Sequence, residues 1–171
     1  MPKIRERREV ANYLNVGTNG AEDYVLLGAG ARVLDEKPSA QTVSRRYVND
    51  RSASSSVSGY EWSAPFELDQ IRSERAVDYI CSIGEKQKTG GDCETDYVMV
   101  SLDRPVMQGS TPVPNTYYAR KIRVCVEVAE FSAKDGELGC NGNLLGIGDM
   151  IEGRAVLSAG TVSFSEDSYG A

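Results

Sequence analysis

The stretch Ile122-Arg123-Val124-Cys125-Val126-Glu127-Val128 carries the clearest periodicity in the chain. Branched apolar residues occupy every second position, and Arg123, Cys125 and Glu127 stand between them. Because successive side chains of a strand point to opposite faces, this alternation predicts a strand with one face buried and one facing solvent. Half-buried strands of this kind are typical of antiparallel sheets. The stretch therefore predicts an antiparallel β fold.

The rest of the chain agrees with a mainly β fold of one domain, residues 1–171. Seventeen glycines are scattered over the 171 residues, which suits frequent turns between short strands. Val98, Val100 and Leu102 alternate with other residues in a second strand, and the strand pattern returns around Val156–Phe164.

One helix is predicted, over residues 73–84. Ser73 is suited to the N-cap, and Val77, Ile80 and Cys81 recur at three- and four-residue spacing. Gly84 is placed as the C-terminal stop. We expect the apolar stripe of this helix to cover one face or open end of the sheet.

Residues 36–59 are predicted to form a long hairpin or extended loop. This segment contains Pro38, the basic pair Arg45-Arg46, and five serines between Ser52 and Ser58, so it can bury little apolar surface by itself. Long loops in compact domains are often functional, and we expect this one to become ordered against other subunits. Residues 1–9 are interpreted as an N-terminal extension that is either solvated or docked on a neighbour, and residues 166–171 as a frayed tail.

The composition disfavours an enzyme and a nucleic-acid-binding protein. Histidine is absent, which removes the commonest general base and metal ligand, and no serine lies in a nucleophile elbow. The formal net charge is -6, where a nucleic-acid-binding protein usually carries a basic patch. The charge could serve solubility alone, or it could let DNA pass without adhering. We therefore expect no catalytic, cofactor or metal site.

Two further patterns receive the simpler interpretation. The acidic cluster Asp92, Glu94, Asp96 and Asp103 lacks the glycine-punctuated spacing of a calcium loop, so a solvated surface is favoured over an ion or catalytic site. The four cysteines, Cys81, Cys93, Cys125 and Cys140, are widely spaced, and the polar residues 1–10 do not form a signal peptide. Free thiols in a reducing cytoplasm are therefore expected, with no membrane association.

Several segments resemble the major tail tube proteins of phages and prophages of Gram-positive bacteria. They are Leu34–Gln41, Arg46–Asp50, Gly59–Trp62, Phe66–Ile83 and Gly142–Asp149. With the order of the elements, this resemblance covers most of the chain from about Asn12 to Val162. It implies an antiparallel β-sandwich or rolled barrel with one flanking helix and a long loop that reaches neighbouring subunits.

The resemblance also implies a function and partners. Six copies would form a ring, and stacked rings would form a tube in the virion through which DNA passes without specific binding. Tail-tip, tape-measure and terminator proteins would be the other partners. Polar contacts between subunits are expected from the charged residues of the loop, Arg45, Arg46, Asp50 and Arg51. Tyr60 and Trp62 are expected to anchor the base of the loop, and Glu94 and Asp96 are the candidates for lining the lumen.

Alternatives remain at this point. A solvated loop would explain the charged loop residues equally well, and core packing would explain Tyr60 and Trp62. A non-contractile tail is favoured, with the inner tube of a contractile tail or of a phage-tail-like bacteriocin as the nearest alternative. A monomeric β-sandwich adaptor or tail-completion protein is a different class, and it would stay monomeric at any concentration.

Overall fold

The structure is a computed structural model, and it describes residues 2–167. The strands are β1 (Val10–Asn15), β2 (Tyr24–Leu26), β3 (Ala31–Leu34), β4 (Ala40–Arg45), β5 (Ser54–Tyr60), β6 (Ser63–Asp69), β7 (Glu94–Gln108), β8 (Thr111–Lys134), β9 (Glu137–Ser158) and β10 (Thr161–Glu166). The helix α1 spans Arg75–Glu85, and short 3₁₀ helices lie at Arg7–Glu9 and Gly90–Cys93.

Eight of these strands form one antiparallel sheet in the order β2-β1-β7-β8-β9-β6-β3, with β10 paired to β9 beside β6. The sheet curls into a half-barrel. Strands β4 and β5 pair only with each other and form a separate hairpin. The predicted mainly β fold with one helix is confirmed, and of the two predicted forms the rolled one is observed.

The long strands β8 and β9 form a ribbon that belongs to two cores. Ile122, Val124 and Val126 are buried on the face covered by α1, as their alternation predicted. Toward the other end of the ribbon, Ala119 and Ala155 are buried on the opposite face, in a second apolar cluster with Val98, Val100 and Val162. The ribbon thus buries opposite faces at its two ends.

A register change separates the two halves of the ribbon. Lys121 pairs with Ile151 and Arg123 pairs with Ile147, so Gly148, Asp149 and Met150 of β9 lie opposite Ile122 alone. Strand β6 pairs with β9 before this point and β10 pairs with it afterwards. Strand β10 also contacts β2, and these strands enclose the second cluster.

Helix α1 starts later than predicted, and Gly84 has a different role. The amide of Glu74 donates to the carbonyl of Ile71 at 3.0 Å, which forms a turn, so Glu74 and not Ser73 occupies the N-cap. Gly84 lies inside the helix, where an added Cβ would sit 2.6 Å from Val128 Cγ1 and 2.8 Å from Phe131 Cζ. Gly84 therefore permits close approach of helix and sheet, and it does not end the helix.

The ends of the described chain are bound to the sheet by ion pairs. Arg5 contacts Asp103 at 2.6 Å, within the segment predicted as an N-terminal extension. Of the predicted frayed tail, Glu166 is the last residue of β10, and Asp167 accepts a hydrogen bond from Arg154 Nε at 2.6 Å. The rest of that predicted tail, residues 168–171, lies outside the described residues.

Candidate interaction surfaces

The β4–β5 hairpin, residues 40–60, projects from the sheet, and we call it the arm. Every residue of β4 is exposed, and in β5 only Gly59 is less than exposed. Strand alternation would place half of these side chains against the protein if the hairpin lay on it. Both faces of the arm are therefore open.

The tip of the arm is ordered by Asp50. The carboxylate of Asp50 accepts the amide of Tyr47 at 3.2 Å, and its carbonyl accepts Arg46 Nε at 3.1 Å. Arg45 and Arg51 are exposed on either side of this turn. Of the loop residues that the sequence singled out, Arg46 and Asp50 therefore stabilise the turn itself, while Arg45 and Arg51 are presented to solvent.

The arm carries exposed apolar side chains as well as positive charge. Tyr47 is 68% exposed, Val57 54% and Tyr60 67%, while Val48 at the tip is wholly exposed. Residues 40–60 contain three arginines and one aspartate, so this segment is basic although the whole protein is acidic. A surface that is both apolar and basic is typical of a contact region.

Trp62, which follows the arm by two residues, lies inside the core. Trp62 is buried, its ring centroid is 5.8 Å from that of Tyr97, and its Nε1 donates to Glu36 Oε1 at 2.9 Å. Its side chain therefore packs mainly within the protein. Tyr60, two residues earlier, is the exposed member of the predicted pair.

Glu36 joins the arm base to the sheet through Arg120, a contact that the sequence analysis missed. The guanidinium of Arg120 donates to both carboxylate oxygens of Glu36, at 2.8 and 2.9 Å. Burial raises the pKa of the Glu36 carboxyl, but the hydrogen bonds from Arg120 and Trp62 outweigh burial, and the pKa lies below its ordinary value of 4.5. The residues are 84 positions apart, so no local pattern could have paired them.

A groove of about 410 Å³ lies beside this anchor. Tyr60 and Trp62 line one part of it, and Arg120, Asp149 and Met150 line another. Gly59 and Tyr60, at the end of β5, also line it, so the groove lies at the root of the arm.

The half of the sheet with α1 on one side is uncovered on the other, and we call that side the open face. Its residues come from β7, β8, β9 and β6 in register: Glu94, Asp96, Arg123, Cys125, Glu127, Asn143, Leu145, Ile147, Pro65 and Glu67. Leu145 and Ile147 are exposed at its centre. Four carboxylates surround one arginine, so the open face is acidic.

Glu94 and Asp96, the two lumen candidates, lie together on this open face. Arg123 Nη1 is 3.3 Å from the Asp96 carboxylate, and Arg123 Nε is 3.8 Å from that of Glu94. Asp103, in the same predicted acidic cluster, instead pairs with Arg5. Among the described residues, no group of three or more His, Cys, Asp or Glu side chains could hold a metal ion.

All four cysteines, Cys81, Cys93, Cys125 and Cys140, are free thiols in the structure. No helix within residues 2–167 is long and apolar enough to span a membrane.

Comparison with known proteins yields structural likenesses but no sequence match. No protein-family model matches the sequence, and no curated protein is significantly similar to it. The structure is similar to a chain in the cryo-EM structure of the anti-feeding prophage (AFP) baseplate, 6-fold symmetrised, with a TM-score of 0.46. The match has 10% sequence identity and covers 89% of this chain and 95% of that chain. A likeness this weak carries no argument about function.

Proposed function

We propose that this protein is a structural component of a phage tail and that it polymerises with copies of itself. More specifically, we propose that it is a tail tube subunit, forming stacked hexameric rings in the virion around a channel for DNA. The proposal gives it no catalytic role. It rests on the extended resemblance of the sequence segments and, above all, on the arm.

The arm is the observation that carries the proposal. A two-stranded hairpin alone in water is marginally stable, and this one has no described packing of its strands against the sheet. Its wholly exposed Val48 would contribute roughly 1.5–3 kcal/mol if a partner buried it completely, and the partly exposed Tyr47 and Val57 would add to this. Part of that gain is offset by the ordering of the arm on association. Such an arm is stable in place only when a neighbouring molecule covers it.

The open face supports the finer proposal of a tube. It is a four-stranded surface whose carboxylates outnumber its single arginine, and phosphate backbones are repelled by such a surface. We propose that it lines the lumen, with Glu94 and Asp96 on it. Identical subunits related by heterologous contacts form rings, and rings of this kind can stack without limit.

The first experiment is negative-stain electron microscopy of the purified protein at high concentration, with and without a tail-tip extract. The expected result is a monomer alone, and tubes or stacked rings with a central channel once an initiator is present. A monomer that persists under both conditions would reject polymerisation and favour the adaptor function. A sheath gene beside this one would place the tube inside a contractile tail, and its absence would favour a non-contractile tail.

A further inference from the structure

Two of the free thiols lie in contact at the margin of the open face. The Sγ atoms of Cys93 and Cys125 are 3.0 Å apart. Cys93 ends the 3₁₀ helix Gly90–Cys93, and the next residue, Glu94, pairs directly with Cys125 across β7 and β8. A disulfide bond is about 2.05 Å long, so the sulfurs need to approach by only about 1 Å.

We propose that Cys93 and Cys125 are a built-in oxidation site, which forms an intrachain disulfide when the protein meets a low-molecular-weight disulfide such as oxidised glutathione. The pairing of Glu94 with Cys125 already brings the neighbouring Cys93 to within 3.0 Å of Cys125, sulfur to sulfur, so closure requires side-chain rotation and no change in strand pairing. The site goes beyond the proposed function and does not depend on it.

Solvent access distinguishes this pair from the other two cysteines. Cys125 is partly exposed on the open face, whereas Cys81, on α1, and Cys140, on the sheet that α1 covers, are both 0% exposed. An oxidant in solution therefore reaches Cys125 in the folded protein. Cys81 and Cys140 also lie close to each other, since their thiols are hydrogen-bonded, but they react only if α1 leaves the sheet.

The reaction balances through two thiol–disulfide exchanges. The Cys125 thiolate attacks one sulfur of oxidised glutathione, the glutathione S–S bond breaks, and one glutathione leaves and takes up a proton. The deprotonated Cys93 then attacks Cys125 Sγ, breaks the mixed disulfide and releases the second glutathione, which also takes up a proton. Two cysteines are oxidised, and one glutathione disulfide is reduced to two thiols.

The surroundings of Cys125 make the first step slow at neutral pH. Burial, the hydrogen bond with Cys93, and the carboxylates of Glu94 and Glu127 all raise the pKa of the Cys125 thiol. Because the thiolate is the nucleophile, the rate should rise roughly tenfold per pH unit below that pKa.

The test is to incubate the folded full-length protein with oxidised glutathione at pH 8, alkylate free thiols in denaturant, and measure mass and peptides. The expected product has lost two hydrogens, carries alkyl groups on Cys81 and Cys140, and yields one cross-linked peptide joining Cys93 to Cys125. Four alkylated thiols, a different cysteine pairing, or a stable glutathione adduct on the wild-type protein would each overturn the proposal.

Two variants sharpen the result. Cys93→Ser should retain one glutathionyl group on Cys125, because the resolving thiol is missing, while Cys140→Ala should form the Cys93–Cys125 disulfide at the wild-type rate. Since 32 positions separate the two residues, the disulfide should raise the melting temperature, by about 5–10 °C. No adduct on Cys93→Ser, or slowed closure in Cys140→Ala, would contradict Cys125 as the point of entry.

Discussion

At the scale of single residues, the carboxylate of Glu36 links the segment that leads into the arm to the sheet. Replacing it with glutamine keeps an acceptor for Trp62 but removes the charge that holds Arg120. Because both side chains are partly exposed, we expect Glu36→Gln to lower stability by only about 1 kcal/mol. Denaturant unfolding measures this, with Glu61→Gln, at an exposed carboxylate one residue before Trp62, as the matched control.

The same carboxylate predicts a pH dependence. The pKa of Glu36 is lower in the folded protein than its ordinary value of 4.5, so the folded state favours the ionised form. The contribution of Glu36 to the free energy of unfolding is complete above pH 4.5, and it is lost as the pH falls through the lower pKa of the folded state. The stability difference between wild type and Glu36→Gln should therefore be constant above pH 4.5 and shrink below it. A difference that grows on acidification would contradict this assignment.

Gly84 is a second residue whose role the structure alone reveals. Alanine there gains about 1 kcal/mol of helix propensity, but its Cβ would press on Val128 and Phe131. Overpacking typically costs about 1–3 kcal/mol, so we expect Gly84→Ala to be destabilising overall. Thermal unfolding checks this against Gly91→Ala, whose added Cβ meets nothing within 4 Å. Equal melting temperatures for the two variants would contradict the close approach.

At the scale of elements, the arm should matter for assembly and little for folding. Tyr47 and Val48 are exposed in the single subunit, so the double change to serine should leave the melting temperature within about 1–2 °C of wild type. It should abolish or strongly reduce polymerisation in the electron-microscopy assay. Ser55→Ala with Ser56→Ala, also in the arm, should assemble normally. If the Tyr47/Val48 variant assembles like the wild type, the tip of the arm takes no essential part in the contacts between subunits.

Hydrogen exchange distinguishes the free arm from the assembled arm. In the single subunit, the β4–β5 hydrogen bonds are open to solvent on both faces, so amides of residues 40–60 should exchange much faster than those of β8. Assembly should protect them. Protection of the arm in the free monomer would show that it is stable without a neighbour, which would contradict the argument for its role.

The elements also show how far sequence reasoning reaches. The Ile122–Val128 alternation and the apolar stripe of α1 are local patterns with one dominant period, and both predictions are confirmed. The hairpin at residues 36–59 followed from composition and turn residues. The partners of Glu36 and Cys125 did not, because these side-chain contacts join residues that are 84 and 32 positions apart and meet only in the folded sheet.

At the scale of the whole molecule, the two cores should unfold together. Strands β8 and β9 contribute to both, so complete unfolding of either core disrupts the ribbon on which the other core packs. Leu144→Ala, at a fully buried position in the core beneath α1, should cost about 2–5 kcal/mol. We expect one transition at a lower temperature, seen equally by near- and far-ultraviolet circular dichroism. Two separate transitions would show that the cores are independent.

The opposite burial of the two ribbon ends has a consequence for how this chain could change in length. Gly148–Met150 form a surplus of two residues over Ile122, and an even surplus preserves the alternation of side chains on both sides. A second register change lies at Ala129, which has no partner between the pairs Val128–Gly142 and Glu130–Asn141. One extra residue is an odd surplus, so the side chains beyond it change face. Val128 and Phe131 therefore lie on the same face, and both would contact a Cβ added at Gly84. An insertion of two residues near Ile122 should therefore be tolerated. An insertion of one residue should not, because it would turn charged side chains inward along half of the ribbon.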